Sequence, residues 1–143
     1  MEQSYREYQI YKTQLIPFTF KSIEDEFAQE LLDLWNSRNM KGNVYTAYLY
    51  SLPVGFILLQ DTSRKLKTIR GTWINERFRR QGLGEALLKL VQSECEHESV
   101  DILVNITKGA EGFYEKNGFE IVGHRDDFDM NIGLWSFLGS QEN

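Results

Sequence analysis

The chain has 143 residues, 41% of them hydrophobic, with three Trp, seven Tyr and nine Phe, which excludes a disordered or low-complexity protein and fits one domain over residues 1–143. Its single cysteine, Cys95, excludes an intrachain disulfide framework and a CxxC metal site, and 16 Lys+Arg against 21 Asp+Glu (net −5) is the reverse of a nucleic-acid-binding footprint. No apolar run approaches the ~20 residues that span a bilayer, and MEQSYREYQIYK has no apolar stretch after a basic start, so the sequence reads as soluble and cytoplasmic, with no membrane partner.

Along the chain, Tyr8 to Lys12 is weakly strand-like. Ser22 followed by Asp25 resembles a helix start, and Ile23, Phe27, Leu31, Leu34 and Trp35 recur at helical spacing, which predicts an amphipathic helix over 23–37. Val44 to Asp61 reads as two antiparallel strands broken at Ser51-Leu52-Pro53, and Lys67 to Asn75 as a third. After Gly82-Leu83-Gly84 the period changes, giving a helix of about four turns that ends near His97. Ser99 to Ile106 alternates as a buried strand, and Thr107 can cap a short helix from Lys108 to Lys116 that stops at Asn117-Gly118. Two strands, Phe119 to Val122 and Phe128 to Phe137, close around a polar turn at His124 to Asp127. The order predicts an α/β domain with one right-handed βαβ crossover.

The segment from Trp73 to Gly84 carries the chemistry. A strand ends, a basic turn follows, and two glycines lead into a long helix. Backbone N–H groups at a helix N-terminus, unobstructed by side chains at Gly82 and Gly84, make an anion site, and Arg79 and Arg80 add charge suited to phosphate. No Lys-Ser/Thr pair follows, as a Walker loop needs, and no third glycine, as a dinucleotide fingerprint needs.

The loop Arg79-x-x-Gly82-x-Gly84, followed later by Ala110-Glu111-Gly112-Phe113-Tyr114-Glu115-Lys116-Asn117-Gly118-Phe119, resembles the GNAT superfamily of N-acetyltransferases. The resemblance is strongest from about Thr68 to Val122. It implies a mixed, mostly antiparallel central sheet with a splayed strand pair and flanking helices, and acetyl-CoA as cosubstrate. By resemblance, Arg79, Arg80, Gln81, Gly82, Leu83 and Gly84 hold the pyrophosphate. The backbone of Ile74 and neighbouring Trp73 and Asn75 faces the acetyl and pantetheine arm, which enters where strands Lys67–Asn75 and Val100–Ile106 splay. Tyr114 matches the tyrosine that hydrogen-bonds the CoA sulfur and protonates it as it leaves. Thr107 stands where many members carry an Asn, and Asn105 can substitute for it.

The strand before the loop, Thr68-Ile69-Arg70-Gly71-Thr72-Trp73, lacks the general-base Glu that some members carry. An alkylamine is neutral in only roughly one molecule per few thousand at pH 7, so deprotonation falls to water, to a carboxylate from elsewhere, or to selection of the neutral form. The leading reading is an N-acetyltransferase in which a small-molecule or peptide amine attacks the thioester directly in a ternary complex. The alternative is a non-catalytic acyl-CoA-binding or sensing domain. Glu24-Asp25-Glu26 and Asp126-Asp127-Phe128-Asp129 lie in regions that, by resemblance, border the acceptor cleft, and read either as solvated charge or as the rim for a cationic acceptor. Phe113 reads as core, Cys95 as an inert helix residue, and His97 and His124 as surface residues outside any metal site or triad. The stretch Leu134-Trp135-Ser136-Phe137-Leu138 suits a homodimer interface or a core.

Overall fold

The computed structural model describes residues 8–140. Seven strands are hydrogen-bonded in the order β1-β2-β3-β4-β5-β7-β6, with four helices. The strands are β1 (Gln9–Thr13), β2 (Gly42–Leu49), β3 (Leu52–Ser63), β4 (Leu66–Ile74), β5 (Asp101–Ile106), β6 (Glu120–Arg125) and β7 (Met130–Trp135); the helices are α1 (Glu26–Ser37), α2 (Leu83–Glu98), α3 (Glu111–Lys116) and α4 (Phe137–Ser140). The β1/β2, β2/β3, β5/β7 and β6/β7 pairs are antiparallel and β4/β5 is parallel, so the sheet is mixed and mostly antiparallel, as expected. Of the described residues, 8–60 with 70–90 form one compact unit, and 61–69 with 91–140 form the other.

In the first unit α1 starts later than the sequence suggests. Ser22 ends a 3-10 turn (Phe18–Ser22) that buries Phe20, and the cap is Asp25, whose Oδ1 accepts from the Ala28 N–H at 2.9 Å. The buried face is also rotated. Ala28, Leu32 and Trp35 pack with Phe20, Ile23, Val44, Phe56, Leu58 and Trp73, whereas Phe27 and Leu34 face solvent. Both stripes have helical spacing, and the one that includes a small Ala lies inward because that side chain lets the helix approach the sheet. The β2–β3 turn is Tyr50-Ser51, with both residues left-handed (φ 53° and 72°), so Leu52 and Pro53 belong to β3. This is the primed-turn geometry that fits strand twist, reached here without Asn or Gly.

In the second unit the parallel ladder pairs Leu66–Ile69 with Asp101–Val104, shorter than either strand. Alternate residues of β5, Ile102, Val104 and Ile106, are buried as the alternation predicts. Helix α3 begins at Glu111, not Lys108. Its N-cap, Ala110, has no side-chain hydrogen bond, and Thr107 contributes its carbonyl oxygen to the Ala110 N–H instead of a hydroxyl cap. The Glu111 carboxylate accepts from the Gly109 N–H at 2.9 Å and steadies this start. The helix ends with Gly118 left-handed (φ 92°) while Asn117 stays on the right-handed side, so the glycine makes the turn. The β6–β7 turn falls at 126–129, and α4 takes up part of the aromatic C-terminal stretch, which the sequence reads as strand as far as Phe137.

Candidate active site

Nine of the twelve site residues, 73–75 and 79–84, lie between the end of β4 and the first turn of α2, all within the first unit. Trp73 points inward, 3% exposed and 5.4 Å from the Phe56 ring, so only its backbone is available on the strand edge. Ile74 follows, and close approach at this point is built into the neighbouring strand: a Cβ on Gly55 would lie 2.8 Å from Ile74 Cδ1 and 3.2 Å from the Trp73 carbonyl oxygen. Asn75 turns the chain. Its N–H donates to the Val54 carbonyl at 2.8 Å, and its Oδ1 accepts from the Arg77 N–H at 2.9 Å to start a 3-10 turn, Glu76–Phe78. The Asn75 side chain is thus engaged in the turn.

The basic loop then folds back on the strand. Arg79 Nε donates to the Ile74 carbonyl oxygen at 2.9 Å, which fixes the guanidinium against the end of β4. Arg80 is exposed and left-handed (φ 63°), and Gly82 is left-handed as well (φ 83°). The Gln81 side chain ties the loop to itself and to the residue before β1, donating to the Arg77 carbonyl at 3.3 Å and accepting from the Tyr8 hydroxyl at 3.4 Å. The first hydrogen bond of α2 runs from the Ala86 N–H to the Gly82 carbonyl at 2.9 Å. The N–H groups of the turn that follows have no intrahelical acceptor. Leu83 is buried at 2% exposure and anchors the turn, while a Cβ built on Gly82 meets nothing within 4 Å. The result is a turn of backbone donors and cations with open space at Gly82, a chemistry suited to anions.

The other three residues lie in the second unit. Asn105 is half-buried on β5 opposite Ile132 of β7, and Thr107 is exposed just beyond the strand. Tyr114 is 7% exposed on α3, with Phe113 and Phe119 ring centroids 5.1 and 5.3 Å away, both edge-on. Its carbonyl accepts from the Asn117 and Phe119 N–H groups, each at 3.0 Å, so the helix end is wound tightly around it. Asn117 is itself buried, donating to the Phe113 carbonyl at 2.8 Å and accepting from Gln92 at 2.7 Å through its own carbonyl. Phe113, read as core from the sequence, is only half-buried; Tyr114 is the buried member of the pair.

A carboxylate does reach the end of β4, from Asp25, which the sequence offers either as solvated charge at a helix start or as rim for a cationic acceptor. Asp25 and Trp73 line the same cavity in the first unit. The Asp25 carboxyl is held below its ordinary value, first by the Ala28 N–H, against partial burial, and then by the Trp73 indole, the Phe27 N–H and the Arg79 charge. The indole Nε1 is buried and lies close enough to that carboxylate to favour its charged form. The second acidic segment, 126–129, is paired locally: Asp127 with Arg125 at 2.8 Å, and Asp129 with His124 at 3.3 Å. Cys95 is buried, and His97 and His124 are at the surface. Among the described residues no group of three or more His, Cys, Asp or Glu is placed to hold a metal, and no helix is long and apolar enough to cross a membrane.

A family model described as an acetyltransferase (GNAT) domain matches residues 5–131. Comparison with curated proteins gave no match. Among solved structures, the chain is similar to a GNAT family acetyltransferase from Elizabethkingia anophelis with acetyl-CoA bound, at 20% identity over 90% of this chain and 97% of that one, with a TM-score of 0.70. It is also similar to the PaiA N-acetyltransferase of Thermoplasma acidophilum in complex with coenzyme A (15% identity, 90% and 99% covered, TM-score 0.64). A third is the GNAT family N-acetyltransferase YhbS of Escherichia coli in complex with CoA (12% identity, 94% and 84% covered, TM-score 0.69). At these identities the structural likenesses concern the fold.

Proposed function

The chain belongs to the GNAT acetyltransferase family, and from that premise we propose that it transfers the acetyl group of acetyl-CoA to the nitrogen of an amine by direct attack in a ternary complex. The observation that carries this reading is the loop itself: left-handed Gly82 turns the backbone into α2 with open space in front of it, and Arg79 is fixed to the strand end by its Nε. An arginine has five N–H donors, and the Ile74 carbonyl takes one of them, so the guanidinium can be held in place and still meet phosphate oxygens. Gln81, Leu83 and Gly84 complete the cradle with backbone.

The chemistry asks three things of the protein. A backbone N–H near Ile74 meets the oxygen of the thioester carbonyl as negative charge builds there, which needs no reorganisation because the strand fixes it. The neutral amine nitrogen bonds to the carbonyl carbon, the C–S bond breaks, the departing sulfur takes a proton from Tyr114, an assignment that rests on its motif, and the proton that the nitrogen sheds as the amide forms returns through solvent to the phenolate. Asn105 and Thr107 are assigned to cofactor contact on the same ground. The acceptor arrives as an ammonium and gives up a proton to solvent water before it attacks. With net charge −5 and an acidic segment at the start of α1, the chain favours cationic acceptors.

The test is free thiol released from acetyl-CoA in the presence of a panel of amines. Release that depends on both amine and protein is the expected result. Tight acetyl-CoA binding without release would replace the enzyme by an acyl-CoA-binding or sensing domain.

A further inference from the structure

Helix α3 has six residues, and an isolated helix below about 12–15 residues is marginal even with good helix formers, so its place depends on what holds its ends. The start is lightly held: Ala110 offers no side-chain cap, and the bond from the Gly109 N–H to the Glu111 carboxylate is exposed to solvent. The other end is held from inside. There the Gln92 side-chain amide, on α2, donates to the Asn117 carbonyl at 2.7 Å, and the Asn117 side-chain amide donates to the Phe113 carbonyl at 2.8 Å. Phe113 and Asn117 stand on either side of Tyr114 in the chain, so the two bonds bracket it. The Asn117 and Phe119 N–H groups close on the Tyr114 carbonyl itself.

Among the described residues the buried polar ones are Thr46, Thr68, Gln92 and Asn117, and the last two bond to each other at this one helix end. Burying an amide is costly unless it is paired, and here the pairing is incomplete, because Asn117 Oδ1 is buried without a partner. Stability alone is served as well by two apolar groups of the same shape. What the polar pair adds is direction: a short hydrogen bond fixes the rotation and rise of the helix end, where apolar contact lets it slide. We propose that Gln92 is a positioning residue for acetyl transfer. Its amide locks the Asn117 carbonyl, and with it the end of α3, to α2, which holds Tyr114 to within the about 0.5 Å that proton donation to the departing sulfur demands. The inference rests on the acetyltransferase reading and on the role of Tyr114 within it. Gln92, itself buried, takes no part in the bond changes.

The test is a double-mutant cycle on the full chain, read as kcat for amine-dependent thiol release. Gln92→Met keeps the length and packing of the side chain and removes the donor. It should lower kcat by about 10–10²-fold and leave acetyl-CoA Kd unchanged. The loss should not exceed that of Tyr114→Phe, because misplacing a proton donor costs at most what the donor contributes. With Tyr114→Phe already in place, adding Gln92→Met should leave kcat where it stands. A purely structural Gln92 would give the same fold-loss in both backgrounds. That result, or parent-like kcat in Gln92→Met, overturns the inference while the transfer reaction stands. A parent with no amine-dependent release overturns the transfer reading and this inference with it. Where Gln92→Met does not fold, Gln92→Glu takes its place in the cycle. Its carboxyl donates to the Asn117 carbonyl only while protonated, so its kcat relative to the parent should fall as pH rises, and only with Tyr114 present. A ratio that ignores pH, or falls equally in the Tyr114→Phe background, overturns the inference.

Discussion

Replacing Gly82 by Ala separates two things the loop does. Gly82 sits at φ 83°, and a Cβ there meets nothing within 4 Å, so the folded protein bears no steric clash. The folding cost is backbone strain alone, about 1–2 kcal/mol for an L-residue in the left-handed region. At roughly 2–4 °C per kcal/mol for a domain of this size, Tm should fall by about 2–8 °C. The open space that spares the fold is the space assigned to the pyrophosphate. A methyl group there holds the phosphate off the first-turn N–H groups, and losing two charge-assisted hydrogen bonds of about 1.5–3 kcal/mol each weakens binding by about 10²–10⁴-fold. Gly82→Val should lose binding at least as completely. The assay is Tm without ligand and acetyl-CoA Kd by calorimetry for the parent and both variants. A variant with the lowered Tm but the parent's Kd would refute the reasoning, because backbone approach at Gly82 would then not be needed.

Tyr114→Phe keeps the edge-on rings of Phe113 and Phe119 and should lower kcat by roughly 10²-fold with little change in acetyl-CoA Kd; near-normal turnover would return Tyr114 to a packing role. Because Asp25 ionises more readily in the folded chain than its ordinary 3.8, the stability it contributes is present above that value and lost as pH falls through its lower, folded one. The Tm difference between the parent and Asp25→Asn should therefore shrink on acidification below 3.8, and a constant difference would contradict the assignment. Leu32→Ala should cost about 2–5 kcal/mol in urea unfolding, whereas Leu34→Ala, at a position 47% exposed, should cost about 0.5 kcal/mol or less. Equal costs would restore the buried face that periodicity alone suggests.

That contrast marks where the sequence is readable. The order of strands and helices follows from changes of period: two-residue alternation in Ile102, Val104 and Ile106, and helical spacing in Leu83, Leu87, Leu88 and Val91. Local competition is harder to read. Along α1 two apolar stripes satisfy the same spacing, and the choice between them depends on how closely the helix packs, which Ala28 decides. Ser22 and Asp25 both suit a helix cap, and the choice depends on Phe20, whose burial draws the preceding residues into a separate 3-10 turn. The Tyr50-Ser51 turn carries no Asn or Gly signal, because strand pairing on both sides enforces the left-handed pair. For the site, the Arg79 to Gly84 loop is legible because consecutive residues build it and glycine declares the backbone's need. The meeting of Asp25 with Trp73 is not, since the two are brought together by α1 packing on the sheet and neither has an unusual neighbour in sequence.

The central claim is direct transfer from acetyl-CoA to an amine with no acetylated protein on the way. Cys95, the one thiol that could carry an acetyl group, is buried. Initial rates with acetyl-CoA and amine varied together, read alongside the mass of protein held with acetyl-CoA alone, test this most directly. Double-reciprocal lines that intersect, with an unmodified protein mass, are the predicted result. Parallel lines and a protein heavier by one acetyl group would contradict it.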